Sequence, residues 1–124
     1  MPIKLAGFAR VRALGRSLPD TTAGTAWRAP ALKTGDQMFA CIASHKSVEP
    51  DTLVVRIDFA QRDDLLAAEP DTYYLKDHYV DYPCVLVRLA RIRDDALRDL
   101  LRMGYDFVRS RQTRRPVKRP GGRS

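Results

Sequence analysis

The residue types most able to touch a ligand crowd into one short stretch of this chain. Tyr73, Tyr74, Lys76, Asp77, His78, Tyr79 and Tyr82 all fall within ten positions. An aromatic patch beside lysine can stack on exposed bases or clamp a phosphate. The same tyrosines can instead seal the end of a sheet, with rings inward and hydroxyls toward water. A second candidate is the C-terminal end. Acidic residues stop at Asp106, after which come Arg109, Arg111, Arg114, Arg115, Lys118, Arg119 and Arg123. Residues 1–108 hold fifteen Lys/Arg and fifteen Asp/Glu, so the whole net charge of +7 resides in residues 109–124. A run of like charge with Pro and Gly does not pack a core. It is expected to be a flexible basic tail, either an arm for a polyanion or a solvated end. On duplex DNA its charges would give a log–log salt slope of at most about −6, through phosphate contacts that carry no sequence information.

Other chemistries find little footing. His45 and His78 are the only histidines and lie thirty-three residues apart. Cys41 and Cys84 form no CxxC spacing, so no metal site is expected. Asp63-Asp64 and Asp94-Asp95 are acidic pairs, but neighbours on a helix point about 100° apart and do not chelate together. Helix capping and first-turn charge account for them. There is no glycine-rich phosphate loop and no GxSxG. Both cysteines sit in apolar runs and read as buried free thiols of a reducing compartment. No enzyme activity and no cofactor are expected.

The elements that must position these groups follow from periodicity. Leu5, Phe8, Val11, Leu14 and Leu18 predict an amphipathic helix ending at Ser17-Leu18-Pro19. Apolar runs at 26–32 and 37–43 flank Lys33-Thr34-Gly35-Asp36, a hairpin signal, and Thr52–Ile57 reads as a third strand in meander order. Asp58 with Gln61 three residues later predicts a capped helix running to about Ala68. Thr72–Leu75 and Cys84–Leu89 are two further strands. Leu97, Leu100, Leu101, Gly104, Tyr105 and Val108 form a helical stripe after Asp94 or Asp95. The expected order is α-β-β-β-α-β-β-α, an α+β domain over residues 1–108 with a curved antiparallel sheet packed against helices. With 124 residues, no apolar run of membrane-spanning length and no secretory leader at the start, the chain is expected to be a single cytoplasmic domain.

Several segments, taken in order, resemble the MmcQ/YjbR family of small bacterial proteins. They are Leu18-Pro19, Ala29-Pro30-Ala31-Leu32-Lys33, Met38-Phe39-Ala40 and Leu53-Val54-Val55-Arg56, then Arg62 and Leu65. Glu69-Pro70, Tyr73-Tyr74, His78-Tyr79, Tyr82-Pro83, Val85–Leu89 and Leu97–Leu101 complete the pattern. The resemblance covers residues 8–108. It implies a frataxin/CyaY-like arrangement and a DNA-binding protein with a double-wing surface, without enzymatic activity or cofactor. The chain departs from the family pattern at Arg28-Ala29, where a Gly-Thr pair is common, and at Gly104-Tyr105, where an Ala-Trp pair is common. It departs again in its longer basic tail.

On this reading the partner is DNA, with RNA as the alternative polyanion, and neither metal nor membrane is engaged. The candidate contacts are Lys33, Lys76, His78 and Tyr79 on the loops, with Arg109, Arg111, Arg114, Arg115, Lys118 and Arg119 on the tail. Asp36, Asp51, Asp77 and Asp81 share those loops and oppose phosphate. The rival reading is a protein–protein interaction module whose tail only solubilises it.

Overall fold

Val54-Val55 and Cys84–Val87 are uninterrupted apolar runs because the sheet that contains them is covered on both faces. The computed structural model describes residues 3–26, 29–45 and 47–117. Its strands are β1 (Thr21–Ala26), β2 (Ala29–Thr34), β3 (Gln37–Ile42), β4 (Thr52–Arg56), β5 (Tyr73–Tyr74) and β6 (Cys84–Arg88). They form one antiparallel sheet in the order β1-β2-β3-β4-β6-β5, open at both edges. The helices are α1 (Ile3–Gly15), α2 (Phe59–Ala68) and α3 (Asp94–Val117). The architecture is α+β, as the strand pairing in hairpins predicts.

The period of two along each strand divides the apolar residues between two cores. Phe39, Leu53, Val55, Val85 and Val87 point toward the helices and meet Phe8, Val11, Leu97, Leu100 and Leu101. Cys41, Val54, Cys84 and Leu86 point the other way and form a smaller cluster with Tyr74 and Tyr79. The expected stripe of α3 is buried along its whole length, from Leu97 at 0% exposure to Val108 at 1%. Gly104 lets the helix approach closely, since a Cβ there would lie 2.8 Å from Val55 Cγ1 and 3.1 Å from the Arg56 carbonyl.

Local signals act as the sequence suggests. Asp58 caps α2, its Oδ1 accepting the Gln61 N–H at 2.7 Å. Asp94 and Asp95 occupy the first turn of α3, where the helix dipole favours negative charge. Arg10 of α1 ties the helices to the end of the sheet. Its Nε donates to Asp94 Oδ1 at 2.6 Å, while its two terminal nitrogens donate to the carbonyls of Leu89 and Ile92.

Three features differ from expectation. The run at 26–32 is not one strand, because Thr21–Ala26 forms a separate edge strand against β2. That segment, Thr-Thr-Ala-Gly-Thr-Ala, is exposed over its middle four residues and has no apolar alternation to betray it. The β2–β3 connection is tighter than four residues. Thr34 pairs with Gln37 across Gly35-Asp36, with Gly35 at φ 60° as a type II′ turn requires. Finally, α3 continues past residue 108 to Val117, so the start of the basic run is helical. Lys118, Arg119 and Arg123 lie outside the described residues.

Candidate functional site

The helix-free face of the sheet carries a cavity of about 760 Å³. Its apolar lining comes from residues that strand alternation turns away from the helices, among them Met38, Val54 and Cys84. Lys33 of β2 and Arg56 of β4 supply positive charge to the lining, and Asp36 a negative one. An aromatic wall completes it, formed by His45, His78, Tyr79 and Tyr82.

That wall is assembled from segments distant in sequence. His45 follows β3, and His78 lies in a short 3₁₀ turn, Asp77–Tyr79, between β5 and β6. Their rings stack with centroids 3.9 Å apart and planes inclined by 19°. His78 meets Tyr79 edge-on at 4.8 Å and lies 6.5 Å from the Tyr82 ring. Sequence reasoning treated the two histidines as unrelated. Only the return of the chain after β5 brings them face to face.

Buried Arg62 of α2 holds this loop in place. Its Nη1 donates to the carbonyls of Val80 and Tyr82 at 3.0 and 3.1 Å, and its guanidinium lies over the Phe59 ring. The loop thus gains two satisfied backbone acceptors that no strand provides. Tyr82 has its backbone in this clamp, and the residue is 58% exposed at the cavity.

The tyrosines divide between the two roles the sequence allows. Tyr73, Tyr74 and Tyr79 are buried and close the sheet. The Tyr74 hydroxyl is bound to Thr52 Oγ1 at 2.5 Å and accepts the Glu49 N–H at 3.0 Å. Burial raises the Tyr79 hydroxyl above the ordinary tyrosine value, with Cys41 and Cys84 adding to the effect. Lys76 is exposed but does not line the cavity; its charge acts on Glu49.

Arg56 of the cavity lining also reaches the basic end of α3. The Arg56 guanidinium and that of Arg111 both lie over the Phe107 ring, at 5.8 and 5.3 Å. Burial, then the Arg111 charge, pulls the Arg56 guanidinium below its ordinary value. Arg109 Nη1 donates to Thr34 Oγ1 in β2 and to Asp20 Oδ2, each at 3.3 Å. Lys33, Arg56, Arg109 and Arg111 thus gather around the β2–β3 hairpin end of the sheet. Arg114 and Arg115 follow on the α3 backbone.

The cysteines and acidic residues have the following surroundings. Burial pushes the Cys41 thiol up to about 12 and the Cys84 thiol to about 11, far from the thiolate a nucleophile needs. Both are free cysteines. Among the described residues no three His, Cys, Asp or Glu side chains converge as a metal ion would require. The acidic pairs have other partners: Asp94 binds Arg10, Asp95 Oδ1 accepts the Ala96 N–H, and Asp63 lies 3.7 Å from Arg62. No helix among the described residues is long and apolar enough to cross a membrane.

Comparison with known proteins agrees with this architecture. The YjbR family model matches residues 16–107. The chain belongs to the YjbR family. Its fold is similar to the crystal structure of the Deinococcus radiodurans protein DR2400, described by its DUF419 domain, with a TM-score of 0.66. The two are 21% identical, over 82% of this chain and 78% of the other. No curated protein matches the chain. The segment matched by the YjbR model includes this chain's cavity-lining residues and both histidines, and ends just before Arg109.

Proposed function

We propose that this YjbR-family protein is a cytoplasmic nucleic-acid-binding protein rather than an enzyme, holding the phosphate backbone along one basic edge. The observation that carries the reading is the docking of the root of the arginine run beside the β2–β3 hairpin. Arg109 is anchored to Thr34, and Arg111 shares the Phe107 ring with Arg56. Arg109 and Arg111 thus stand at the same hairpin end of the sheet as Lys33 and Arg56, which supports reading them as one phosphate-binding group. Clustered Lys and Arg gain affinity for phosphates by releasing condensed counterions, so binding should fall steeply with salt. No Asp or Glu follows Asp106 in the sequence to neutralise these arginines.

Fluorescence anisotropy of labelled DNA and RNA across a salt series tests this in the full-length chain. Replacing Lys33, Arg111, Arg114 and Arg115 together by Gln leaves the Arg109 anchor and the buried α3 stripe intact. The four substitutions are expected to reduce the log–log salt slope by roughly 3–4 and to weaken all sequences alike. An unchanged slope, or no salt-sensitive affinity in the wild-type chain, rejects the proposal.

A further inference from the structure

The basic edge explains attraction to phosphate but leaves the neighbouring cavity unused. A duplex hides the flat faces of its bases inside the stack. An unpaired base exposes them, and stacking on aromatic side chains is how single strands are gripped without sequence preference. The cavity on the helix-free face has the parts such a base needs. Met38, Val54 and Cys84 give it an apolar lining. His78, fixed against His45 at 3.9 Å and edge-on to Tyr79, presents a rigid ring beside the exposed ring of Tyr82. Because the imidazole stack and the Arg62 clamp already order this wall, little side-chain freedom is lost when a ligand arrives.

Charge in the same lining suits the phosphate attached to that base. Lys33 and Arg56 face the cavity, and Arg56 is steadied by donating to Gln37 Oε1 and the Met38 carbonyl, each at 3.4 Å. Asp36 opposes them, which leaves one net positive charge among these three groups at neutral pH. A volume of about 760 Å³ lies within the roughly 300–1,000 Å³ usual for small-ligand sites, too small for a groove-width of duplex but enough for a nucleotide unit.

Resting on the nucleic-acid reading of the basic edge, we infer that this cavity takes an unstacked nucleotide of a single strand, with its base on the His78–Tyr82 wall and its phosphate toward Lys33 and Arg56. The protein is then a single-strand binder in preference to a duplex binder. The strand leaves the cavity past Arg56 toward Arg111 and the α3 arginines.

The test compares short labelled oligo(dT) with a duplex of equal length against the full chain at one salt concentration. Single strands are expected to bind tighter by on the order of tenfold. Tyr82→Ala removes most of that advantage and leaves duplex affinity unchanged, whereas Tyr82→Phe, which keeps the ring, retains it. The exposed Tyr82 ring makes both variants safe for folding. Equal affinity for the two forms, with Tyr82→Ala without effect, overturns the cavity assignment and leaves the basic edge standing. Binding to neither form overturns both. Displacement of the oligonucleotide by free thymidine monophosphate at equal nucleotide concentration would overturn the strand assignment, making a free nucleotide the occupant.

Discussion

Cys41 and Cys84 show how far position governs the chemistry of a single side chain. Both lie on the face of the sheet that carries the cavity, yet both are buried, with Cys41 held near 12 in place of its ordinary 9.0. At pH 8 that lowers the Cys41 thiolate population roughly a thousandfold. Iodoacetamide should therefore leave the native chain unmodified while alkylating both thiols rapidly in urea, as mass spectrometry would read. Native labelling of Cys41 within about tenfold of the unfolded rate would contradict the burial described here. The cysteine types and their apolar neighbours made free, buried thiols legible in the sequence. The stacked His45 and His78 were not legible, because nothing in two residues thirty-three apart fixes their mutual distance.

Among the elements, α3 does most to position the site, since it packs across the sheet and delivers its arginines to the hairpin end. Gly104 sets how closely it lies. Added to this residue, a methyl group would meet Val55 Cγ1 at 2.8 Å and the carbonyls of Arg56 and Phe39 at 3.1 and 3.2 Å. Alanine favours a helix over glycine by about 1 kcal/mol, but overpacking a tight contact costs about 1–3 kcal/mol. The Val55 methyl overlaps the added carbon, and the two tight backbone carbonyls leave little room for it to be relieved, so the overpacking outweighs the gain. Gly104→Ala is expected to lower the melting temperature by about 3–8 °C in a thermal scan. An unchanged or raised value would show that the helix can shift outward freely. The stripe of this helix was legible because six apolar positions repeat at helical spacing. The edge strand β1 was not, because small and polar residues form a strand only when β2 offers them hydrogen-bond partners.

For the whole molecule, the question is how a chain whose charge lies at one end forms a defined surface. Asp20 matters here. It is the turn residue just before the edge strand, at φ 57°, and pairs with Arg109 at 3.3 Å, placing a negative charge at the root of the basic run. The pair is exposed, so it contributes little to stability. Its field still reduces attraction for a polyanion. Asn tolerates the same left-handed backbone, so Asp20→Asn should fold normally. It is expected to tighten nucleic-acid binding about two- to threefold at low salt, with the gain vanishing as salt screens it. Equal affinities at low salt would place the bound phosphates away from Arg109.

By itself the sequence determined the α+β class, the extent of most helices and strands, the cap at Asp58 and the location of the net charge. Those properties are set by residues close together in the chain, through side-chain periodicity, turn chemistry and the count of ionisable groups. Tertiary structure alone decided which tyrosine is exposed, that His45 meets His78, and that Arg56, Arg109 and Arg111 share one edge with Lys33. Each of those facts depends on the order in which strands pair and on which face alternation gives a side chain. Such long-range pairing is a property of the packed sheet as a whole, and no local stretch of residues encodes it.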